Sequence, residues 1–535
     1  MTDVVPLRDL RHEERHPFLP HTSTETKPSS PSRWRTLEFY VYYACVAIVI
    51  PYMIYVTYKL GNESHPNYSR FEYLLSEGWL FGRKLDNSDA QYRHFRDHIP
   101  QLTLLALFYL CLSHLYRRLW GRQQIQYFFL FSSLLIISVI HGANMIKILS
   151  IASFSYLIGR ITRQSILNPV LTWTFGVGIL FLNSYYQGYT FASIHPELAW
   201  LDAYQGIQTR WHVLFNFVML RLVSYNMDYY WQFKQRGISD RSEPPLTSKD
   251  RMITSCVESD YNYLFFLAYV FYVPLYLCGP IVTYNDFISQ IRHPCKTDLR
   301  YIVVYALRLA ATMFLMEWTL HYLYVVAISK TQAWEGDTAL EISMIGYFNL
   351  LIIWMKLLIP WRFFRLWALA DGMWAEENMV RCMSNNFSAQ RFWKSWHRTF
   401  NRWTIRYIYV PLGGSKYLML NMWVVFTFVA LWHDIELKLL AWGWLICFFL
   451  LPELIASRVF TYKKYGQQPY YRFICGIGAV ANILLMMTAN LVGFCVGLDG
   501  MKNMLSQIIG TVDGVQIMFE IRETEKRRGD PKWTM

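Results

Sequence analysis

Residues 417–455 read YLMLNMWVVFTFVALWHDIELKLLAWGWLICFFLLPELI, two apolar runs separated by the polar turn HDIELK. An apolar helix of about 17 to 25 residues is long enough to cross the hydrocarbon core of a bilayer. The stretch therefore predicts two membrane helices joined by a tight turn. His433 opens that turn, at the point where apolar protein meets water.

Apolar runs of this kind recur along the chain. Of its 535 residues, 54% are hydrophobic and 17% are charged, whereas an average soluble domain has roughly 25% charged residues. Hydropathy predicts spans near residues 37–58, 99–117, 127–147, 166–185, 209–227, 261–283, 300–328, 342–360, 417–433, 437–455 and 472–495. The pattern predicts an all-α polytopic membrane protein with about eleven spans. The stretch 148–160, ILSIASFSYLIGR, is expected to be too short for a span and to be re-entrant or interfacial.

The charge and the cysteines exclude several classes of protein. The formal charge is +13, but the basic residues lie in short clusters between the apolar runs. That distribution is typical of cytosolic loops and interfacial anchors rather than of a nucleic acid-binding face. The nine cysteines include no CxxC pair, so neither a zinc site nor a redox site is indicated. We expect membrane lipids as partners and no nucleic acid.

Composition divides the chain into three segments. Residues 1–35 are polar and rich in Pro, Ser and Thr, which predicts a disordered cytosolic tail. Residues 36–505 form the transmembrane domain, and residues 506–535 form a C-terminal tail whose apolar pieces are too short to define a last span. The basic N-terminal tail predicts a cytosolic N-terminus and an uncleaved first span. The sequons at Asn62 and Asn67 fit a luminal loop after that span.

Three histidines lie in or at the ends of apolar runs. We expect His141 and His321 to be buried and hydrogen-bonded to neighbouring helices. His433 permits two interpretations from its residues alone. It either caps the span at the membrane surface or, as a neutral imidazole, serves as a general base for a hydroxyl or amine.

Residues 391–416, RFWKSWHRTFNRWTIRYIYVPLGGSK, predict an amphipathic helix in the membrane interface. Its apolar side would carry Phe392, Trp393, Trp396, Phe400 and Trp403. Its basic side would carry Arg391, Lys394, Arg398 and Arg402, with His397 on the border. The basic side fits either a plain membrane anchor or a site for the phosphates of a lipid donor or headgroup. PLGG, residues 411–414, ends the segment because proline and two glycines do not continue a helix.

Two blocks together resemble the membrane-bound O-acyltransferase (MBOAT) superfamily, namely FWKSWHRTFNRWTIRYIYVPLGGSK at 392–416 and FVALWHDIELKLLAWG at 428–443. Three further blocks resemble its fungal glycerol uptake protein branch, namely EGWLFGRKLDNSDAQYRHFRD at 77–97, VVAISKTQAWEGDTALEISMIGYFNL at 325–350 and KLLIPWRFFRLWALADG at 356–372. CGPIVTYNDF at 278–287 also matches a Gly-Pro pattern of the family. The resemblance covers most of residues 34–535.

The resemblance implies a fold and a site. The family fold is a bundle of tilted membrane helices around a tunnel, which acyl-CoA enters from the cytosolic side and the acceptor from the other. His433 matches the catalytic histidine and is the expected general base. His397 matches the second polar site and would orient the thioester or the CoA portion. The residues expected to bind acyl-CoA are Trp393, Trp396, Arg398, Asn401, Arg402 and Arg406.

The fungal branch also implies a substrate. By resemblance, it remodels glycosylphosphatidylinositol (GPI) anchors in the endoplasmic reticulum, placing a long or very long acyl chain on the sn-2 hydroxyl of the lyso-anchor. The expected partners are acyl-CoA, lyso-GPI lipid or GPI-anchored protein, and membrane lipids. No cofactor is required. Cys382 occupies the place where the related Hedgehog acyltransferase branch has a cysteine linked to haem binding, so haem is a secondary expectation.

Two other functions remain open. A protein N- or O-acyltransferase of the Hedgehog type would use the same fold and histidine with a different acceptor. A glycerol transporter, as the name of the branch suggests, is disfavoured because many transporters contain repeated sets of spans with paired broken helices, and no such repeat is evident in this sequence.

Overall fold

A computed structural model describes residues 34–234, 247–295 and 297–495, together with residues 500, 502 and 506. The chain divides into two compact units, Met1–Tyr55 and Val56–Met535, and every candidate site residue lies in the second. The expected N-terminal tail falls almost wholly outside the described residues, as does the C-terminal tail. Regular structure is nearly all helical, which confirms the predicted all-α class.

The first part of the chain contains six helices and one short hairpin. The helices are α1 (Leu37–Leu60), α2 (Ala90–Asp97), α3 (Ile99–Trp120), α4 (Ile125–His141), α5 (Asn144–Thr162) and α6 (Leu167–Tyr185). Strands β1 (Leu75–Glu77) and β2 (Lys84–Asp86) pair antiparallel, with Leu75 opposite Asp86.

The middle part alternates long and short helices. They are α7 (Phe191–Ile194), α8 (Trp211–Lys234), α9 (Ser248–Ile253), α10 (Tyr263–Val270), α11 (Val273–Tyr276), α12 (Tyr284–Arg292), α13 (Leu299–Tyr322) and α14 (Val325–Thr331).

The last part supplies the candidate site. Its helices are α15 (Ala339–Ala370), α16 (Ala389–Ser395), α17 (Arg398–Thr404), α18 (Leu418–His433), α19 (Leu437–Val459), α20 (Tyr462–Tyr465) and α21 (Tyr471–Phe494). Residues Ile405–Tyr409 continue α17 as a π-helical turn. The predicted break at PLGG is confirmed, and Gly413 there has a φ of 93°, a backbone conformation that favours glycine.

Within the described residues, eight helices are long and apolar enough to cross a membrane: α1, α3, α5, α13, α15, α18 with the residues from Gly414, α19 and α21. Seven of them match predicted spans. The expectation for 148–160 was wrong, because α5 begins earlier, at Asn144, and runs for 19 residues. The reason is a break at Gly142, whose φ of 57° ends α4 and leaves the following residues to the next helix.

The predicted span at 261–283 was also wrong, because the structure breaks it into α10 and α11. Arg221 of α8 explains why this break is stable in an apolar interior. Its Nη1 donates to the carbonyl oxygens of Tyr269 and Val270 at 3.2 and 2.6 Å. These carbonyls stand at the end of α10, where helix carbonyls lack partners within the helix.

Helix α8 differs from an ordinary lipid-facing span. Every side chain from Val218 to Tyr230 is buried, including the polar side chains of Arg221, Asn226 and Asp228. One apolar cluster surrounds α8 with residues of α4, α5, α10, α12 and α17. A second cluster joins α16, α18, α19 and α21. The candidate site lies where α17 and α18 bring these clusters together.

Candidate active site

Helix α18 presents His433 at its C-terminal end. The amide of Asp434 bonds back to the carbonyl of Ala430 at 3.2 Å and closes the helix, and α19 starts at Leu437. The predicted pair of helices joined by a short polar turn is therefore confirmed. Trp432 is 4% exposed, whereas His433 beside it is exposed.

Aromatic rings from three helices surround the imidazole of His433. Its ring centroid lies 4.9 Å from that of Trp432, 6.1 Å from that of Trp442 and 6.2 Å from that of Phe494. These rings come from α18, α19 and α21. The imidazole thus has an apolar surround and remains accessible.

His397 lies at a break that the sequence did not predict. The expected continuous helix over 391–402 was wrong, because α16 ends at Ser395 and α17 begins at Arg398. Between them His397 has φ 45° and ψ 48°, the left-handed conformation that residues with a side chain rarely adopt. Such a conformation costs about 1–3 kcal/mol and persists only where the surroundings impose it.

A hydrogen-bond network around Asn378 imposes that conformation. The carbonyl of Asn378 accepts from the Arg398 amide at 3.0 Å. Its Oδ1 accepts from the Thr399 amide at 3.2 Å and from Thr399 Oγ1 at 2.6 Å. The amide of Ile281, in the Gly-Pro segment, donates to Thr399 Oγ1 at 2.9 Å. Two loops therefore hold the residues that follow His397.

The two histidines meet around one indole. The ring of His397 lies 4.3 Å from that of Trp361 and 6.3 Å from that of Trp432, and Trp432 also contacts His433. Phe400 of α17 stacks on Trp432 at 4.5 Å. The structure therefore brings the two histidines singled out by the sequence to the same aromatic cluster, although they are 36 positions apart in the sequence.

Trp393 and Trp396 are half-buried against other protein rings. Trp393 packs on Phe426 and Trp442 at 5.6 and 5.7 Å, and Trp396 stacks on Phe392 at 5.3 Å. The break at His397 separates them from the aromatic residues of α17, so the single apolar stripe of a straight helix does not form.

The basic residues of this segment fall into two groups. Arg391 and Lys394 are exposed, whereas Arg398 and Arg402 are half-buried and lie near Glu376. Burial opposes ionisation of Glu376, but the guanidinium groups of Arg402 and Arg398 hold the pKa of its carboxyl below the usual value. The second group is therefore partly neutralised.

Asn401 and Arg406 complete the residues expected to bind acyl-CoA. Asn401 is half-buried, and its main-chain amide donates to the His397 carbonyl at 3.0 Å. Arg406 donates to Asp228 Oδ1 at 2.7 Å through Nη2 and at 3.2 Å through Nε. Asp228 is fully buried and also accepts from the hydroxyl of Tyr407 at 3.0 Å. Arg406 therefore has a structural partner on α8.

The other histidines have structural contacts. His141 is fully buried, and its Nε2 lies 3.1 Å from the hydroxyl of Tyr276 on another helix, which confirms the prediction. His321 is also fully buried, but its Nδ1 lies 2.7 Å from the carbonyl of Glu317 in its own helix. For His321 the expected bond to a neighbouring helix was wrong, because the residue stands in the last turn of α13.

Cys382 is a half-buried free thiol at the start of the turn Met383–Asn385. In the described part of the chain, no three side chains of the metal-ligating types lie together. The two sequons also differ. Asn62 is exposed, whereas Asn67 is 6% exposed and donates to the Glu335 carbonyl and to Asp337 at 3.0 and 3.1 Å.

Sequence reasoning missed Asn216, near the start of α8. Its Nδ2 donates to the Trp432 carbonyl at 2.8 Å, and Trp432 Nε1 donates to the Asn216 carbonyl at 2.9 Å. Asn378 and Thr399 were missed as well. Asn216 carried a signal, because a polar residue inside an apolar run is a functional candidate by default. Asn378 stands in a polar segment and Thr399 in the amphipathic segment, and nothing in the sequence distinguishes either from its neighbours.

This arrangement can perform proton transfer between bound groups. A neutral imidazole accepts a proton from a hydroxyl or an amine, and the surrounding rings give it an apolar environment. The exposed surface of His433 leaves room for a reacting group, while His397 lies within the same cluster. Such a site fits acyl transfer from an activated donor.

Comparisons with known proteins agree with this chemistry. Residues 189–498 match the sequence model described as MBOAT, membrane-bound O-acyltransferase family. The relative called Membrane-bound O-acyltransferase GUP1 from Saccharomyces cerevisiae is 45% identical over 533 residues, covering 95% of this chain and 94% of its own. The relative of the same description from Schizosaccharomyces pombe is 43% identical over 553 residues, covering 96% and 95%.

A more distant relative is named as a protein acyltransferase. Protein-cysteine N-palmitoyltransferase HHAT from Mus musculus is 26% identical over 254 residues, covering 45% of this chain and 50% of its own. Its name specifies transfer to a protein cysteine.

Proposed function

The chain belongs to the membrane-bound O-acyltransferase family, and we propose that it moves a long or very long acyl chain from acyl-CoA to the sn-2 hydroxyl of a lyso-GPI anchor lipid in the endoplasmic reticulum membrane. The acyltransferase class and the multi-pass membrane character follow from the family and the apolar helices. The acceptor, the organelle and the role of His433 as general base constitute the proposal.

One observation carries the proposal, namely that His433, an exposed residue, has its imidazole in the same aromatic cluster as His397. A thioester is already activated toward acyl transfer, so the enzyme mainly has to align the acceptor hydroxyl and remove its proton. One placed imidazole supplies both effects, since orientation and general base catalysis each contribute several orders of magnitude.

The proposed reaction balances without a cofactor. His433 takes the proton of the acceptor hydroxyl while the oxygen attacks the thioester carbonyl. An ester bond forms, the carbon–sulfur bond breaks, and the CoA thiolate leaves. The proton held by the imidazole then passes to that thiolate, which restores the neutral base.

The donor would bind from the side of the basic segment. Arg391 and Lys394 are exposed there and offer positive charge to the CoA phosphates. Arg398 and Arg402 interact electrostatically with Glu376, so the carboxylate offsets part of their positive charge. His397 would hold the thioester end, because its ring lies near Trp432, which also contacts His433.

The test compares His433→Ala with a histidine outside the cluster. His114 on α3 is exposed and provides the matched control His114→Ala. Microsomes from cells that carry each variant as the sole copy are supplied with labelled acyl-CoA. We expect His433→Ala to accumulate normally and to leave lyso-GPI unconverted, whereas His114→Ala converts it at the wild-type rate.

Conversion of lyso-GPI at the wild-type rate by His433→Ala would contradict the role of the histidine. The same assay addresses the acceptor. Label recovered in GPI lipid supports the proposal, whereas label recovered at a cysteine or an N-terminal amine would favour protein acylation.

Protein acylation is the second candidate because of the similarity to the mouse protein-cysteine N-palmitoyltransferase. The same base would serve an amine, so the imidazole does not discriminate between the two acceptors. The lipid acceptor remains the proposal because the fungal relatives described as O-acyltransferases cover nearly the whole chain, whereas the match to the mouse protein covers less than half of it.

A further inference from the structure

We infer that Asn216 is a positioning residue that fixes the end of α18 and thereby directs the imidazole of His433. This inference rests on the proposed role of His433. It is carried by two reciprocal hydrogen bonds between Asn216 and Trp432, the residue that precedes the proposed base.

The first bond gives a carbonyl at the C-terminal end of α18 a donor from α8. The last carbonyls of any α-helix have no amide partner within it. In α18 the carbonyl of Ala430 receives the amide of Asp434, and that of Trp432 receives Nδ2 of Asn216 at 2.8 Å. Since an unpaired carbonyl in an apolar environment is unfavourable, this bond selects one position of the helix end against α8.

The second bond removes rotational freedom. Trp432 Nε1 donates to the Asn216 carbonyl at 2.9 Å, so one residue of α8 binds both the main chain and the side chain of Trp432. Phe217 meets the same indole edge-on at 5.4 Å, and Phe400 stacks on it at 4.5 Å. Because successive residues of a helix turn by about 100°, fixing Trp432 in height and rotation also fixes His433.

A purely structural role makes a different prediction. If the two bonds only joined α8 to α18, their loss would lower the amount of folded protein and leave its turnover unchanged. Asn349 provides the matched control, because its Nδ2 donates to the Val325 carbonyl of another helix at 2.8 Å and it is 5% exposed. Among the described contacts it meets neither histidine.

The experiment measures kcat and KM on purified protein in nanodiscs, with palmitoyl-CoA and lyso-phosphatidylinositol as probes. The variants are Asn216→Ala, Asn216→Asp, Asn349→Ala and His433→Ala. The folded fraction of each is taken from size-exclusion profiles. We expect Asn216→Ala to lower kcat about 10- to 100-fold with KM for the donor unchanged, since small misplacement of a catalytic group costs this much. Asn349→Ala should keep kcat within about twofold.

Asn216→Asp supplies a readout that a merely structural role would not move. It keeps the shape of the side chain, but the ionised carboxylate has no hydrogen to donate to the Trp432 carbonyl. The protonated carboxyl has such a hydrogen. The kcat of Asn216→Asp relative to wild type should therefore increase as the pH falls. Asn216→Asp also takes the place of Asn216→Ala if the alanine variant does not accumulate.

The outcomes separate this inference from the proposed function. Wild-type kcat in both Asn216 variants, with an inactive His433→Ala, overturns the positioning role alone. A loss in Asn216→Ala that the folded fraction fully explains, or one confined to KM for the acceptor, overturns it as well. An active His433→Ala overturns the proposed function, whatever the Asn216 variants do.

Discussion

Replacing Thr399 with valine tests how the protein holds His397 in its left-handed conformation. The two side chains have nearly the same shape, and Thr399 is 4% exposed, so the change removes a hydroxyl without opening a cavity. That hydroxyl accepts from the Ile281 amide and donates to Asn378 Oδ1. We expect Thr399→Val to lower kcat about 10- to 100-fold, because a poorly oriented catalytic group costs this much.

The magnitude follows from the bonds that are lost. A buried amide left without its acceptor costs about 1–3 kcal/mol, and a lost hydrogen bond costs about 0.5–1.5 kcal/mol. Their sum, about 1.5–4.5 kcal/mol, is comparable to the about 1–3 kcal/mol of strain at a left-handed residue with a side chain. The loss is therefore large enough to offset the strain that the network holds, and we expect His397 to leave its position in much of the population.

The assay is steady-state acyl transfer by purified protein in nanodiscs, normalised to the folded fraction. Thr319→Val is the matched control, because that hydroxyl donates at 2.8 Å to the Leu315 carbonyl of its own helix. Thr399→Val is also made in a His397→Ala background. If Thr399 acts through His397, the two losses are strongly non-additive. Wild-type kcat in Thr399→Val, or an equal loss in both backgrounds, would refute the reasoning.

Two further predictions concern Arg406 and Asp337. Arg406→Met leaves the buried Asp228 carboxylate without its cation, so we expect a loss of about 3–5 kcal/mol in unfolding free energy. Thermal unfolding measures this loss. Unchanged stability with a raised KM for acyl-CoA would show that Arg406 contacts the donor instead. Burial raises the pKa of Asp337 to about 6 against the opposing effect of His65. The folded protein binds the proton of this carboxyl more tightly than the unfolded chain, in which its pKa is about 3.9. The contribution to stability is therefore fully present below about pH 3.9 and is lost as the pH rises through about 6. The unfolding free energy of wild type relative to Asp337→Asn should therefore be larger at about pH 5 than at about pH 7.5. A difference between the two proteins that does not change with pH would contradict the assignment.

The sequence predicts a span best where the residues that determine it are contiguous in the chain. A run of apolar residues needs no distant partner to form a membrane helix, so α18 and α19 appear within a few residues of their predicted limits. The break between α10 and α11 depends instead on Arg221, which comes from another helix and about 50 positions earlier in the chain. The hydropathy of residues 261–283 gives no information about that bond.

The candidate site shows the same division. The residues around His433 left a surface cap and a general base both open, and it was the resemblance of longer blocks that favoured the base. The conformation of His397 was not predictable, because helix propensity and the spacing of aromatic residues both favour a continuous helix. The left-handed turn is imposed by Asn378 and Thr399, and Asn378 stands 19 positions before His397.

The buried pair of Asp228 and Arg406 has a consequence for biosynthesis. The two residues are 178 positions apart, and ribosomes add about 5–20 residues per second, so α8 emerges on the order of ten to forty seconds before its partner. During that interval α8 carries Arg221 and Asp228, each of which costs about 2.5–3.5 kcal/mol at the centre of a lone membrane helix. Helix α8, which is not among the eight described helices apolar enough to cross a membrane, is therefore expected to reach its stable packing only when the ribosome has delivered α17.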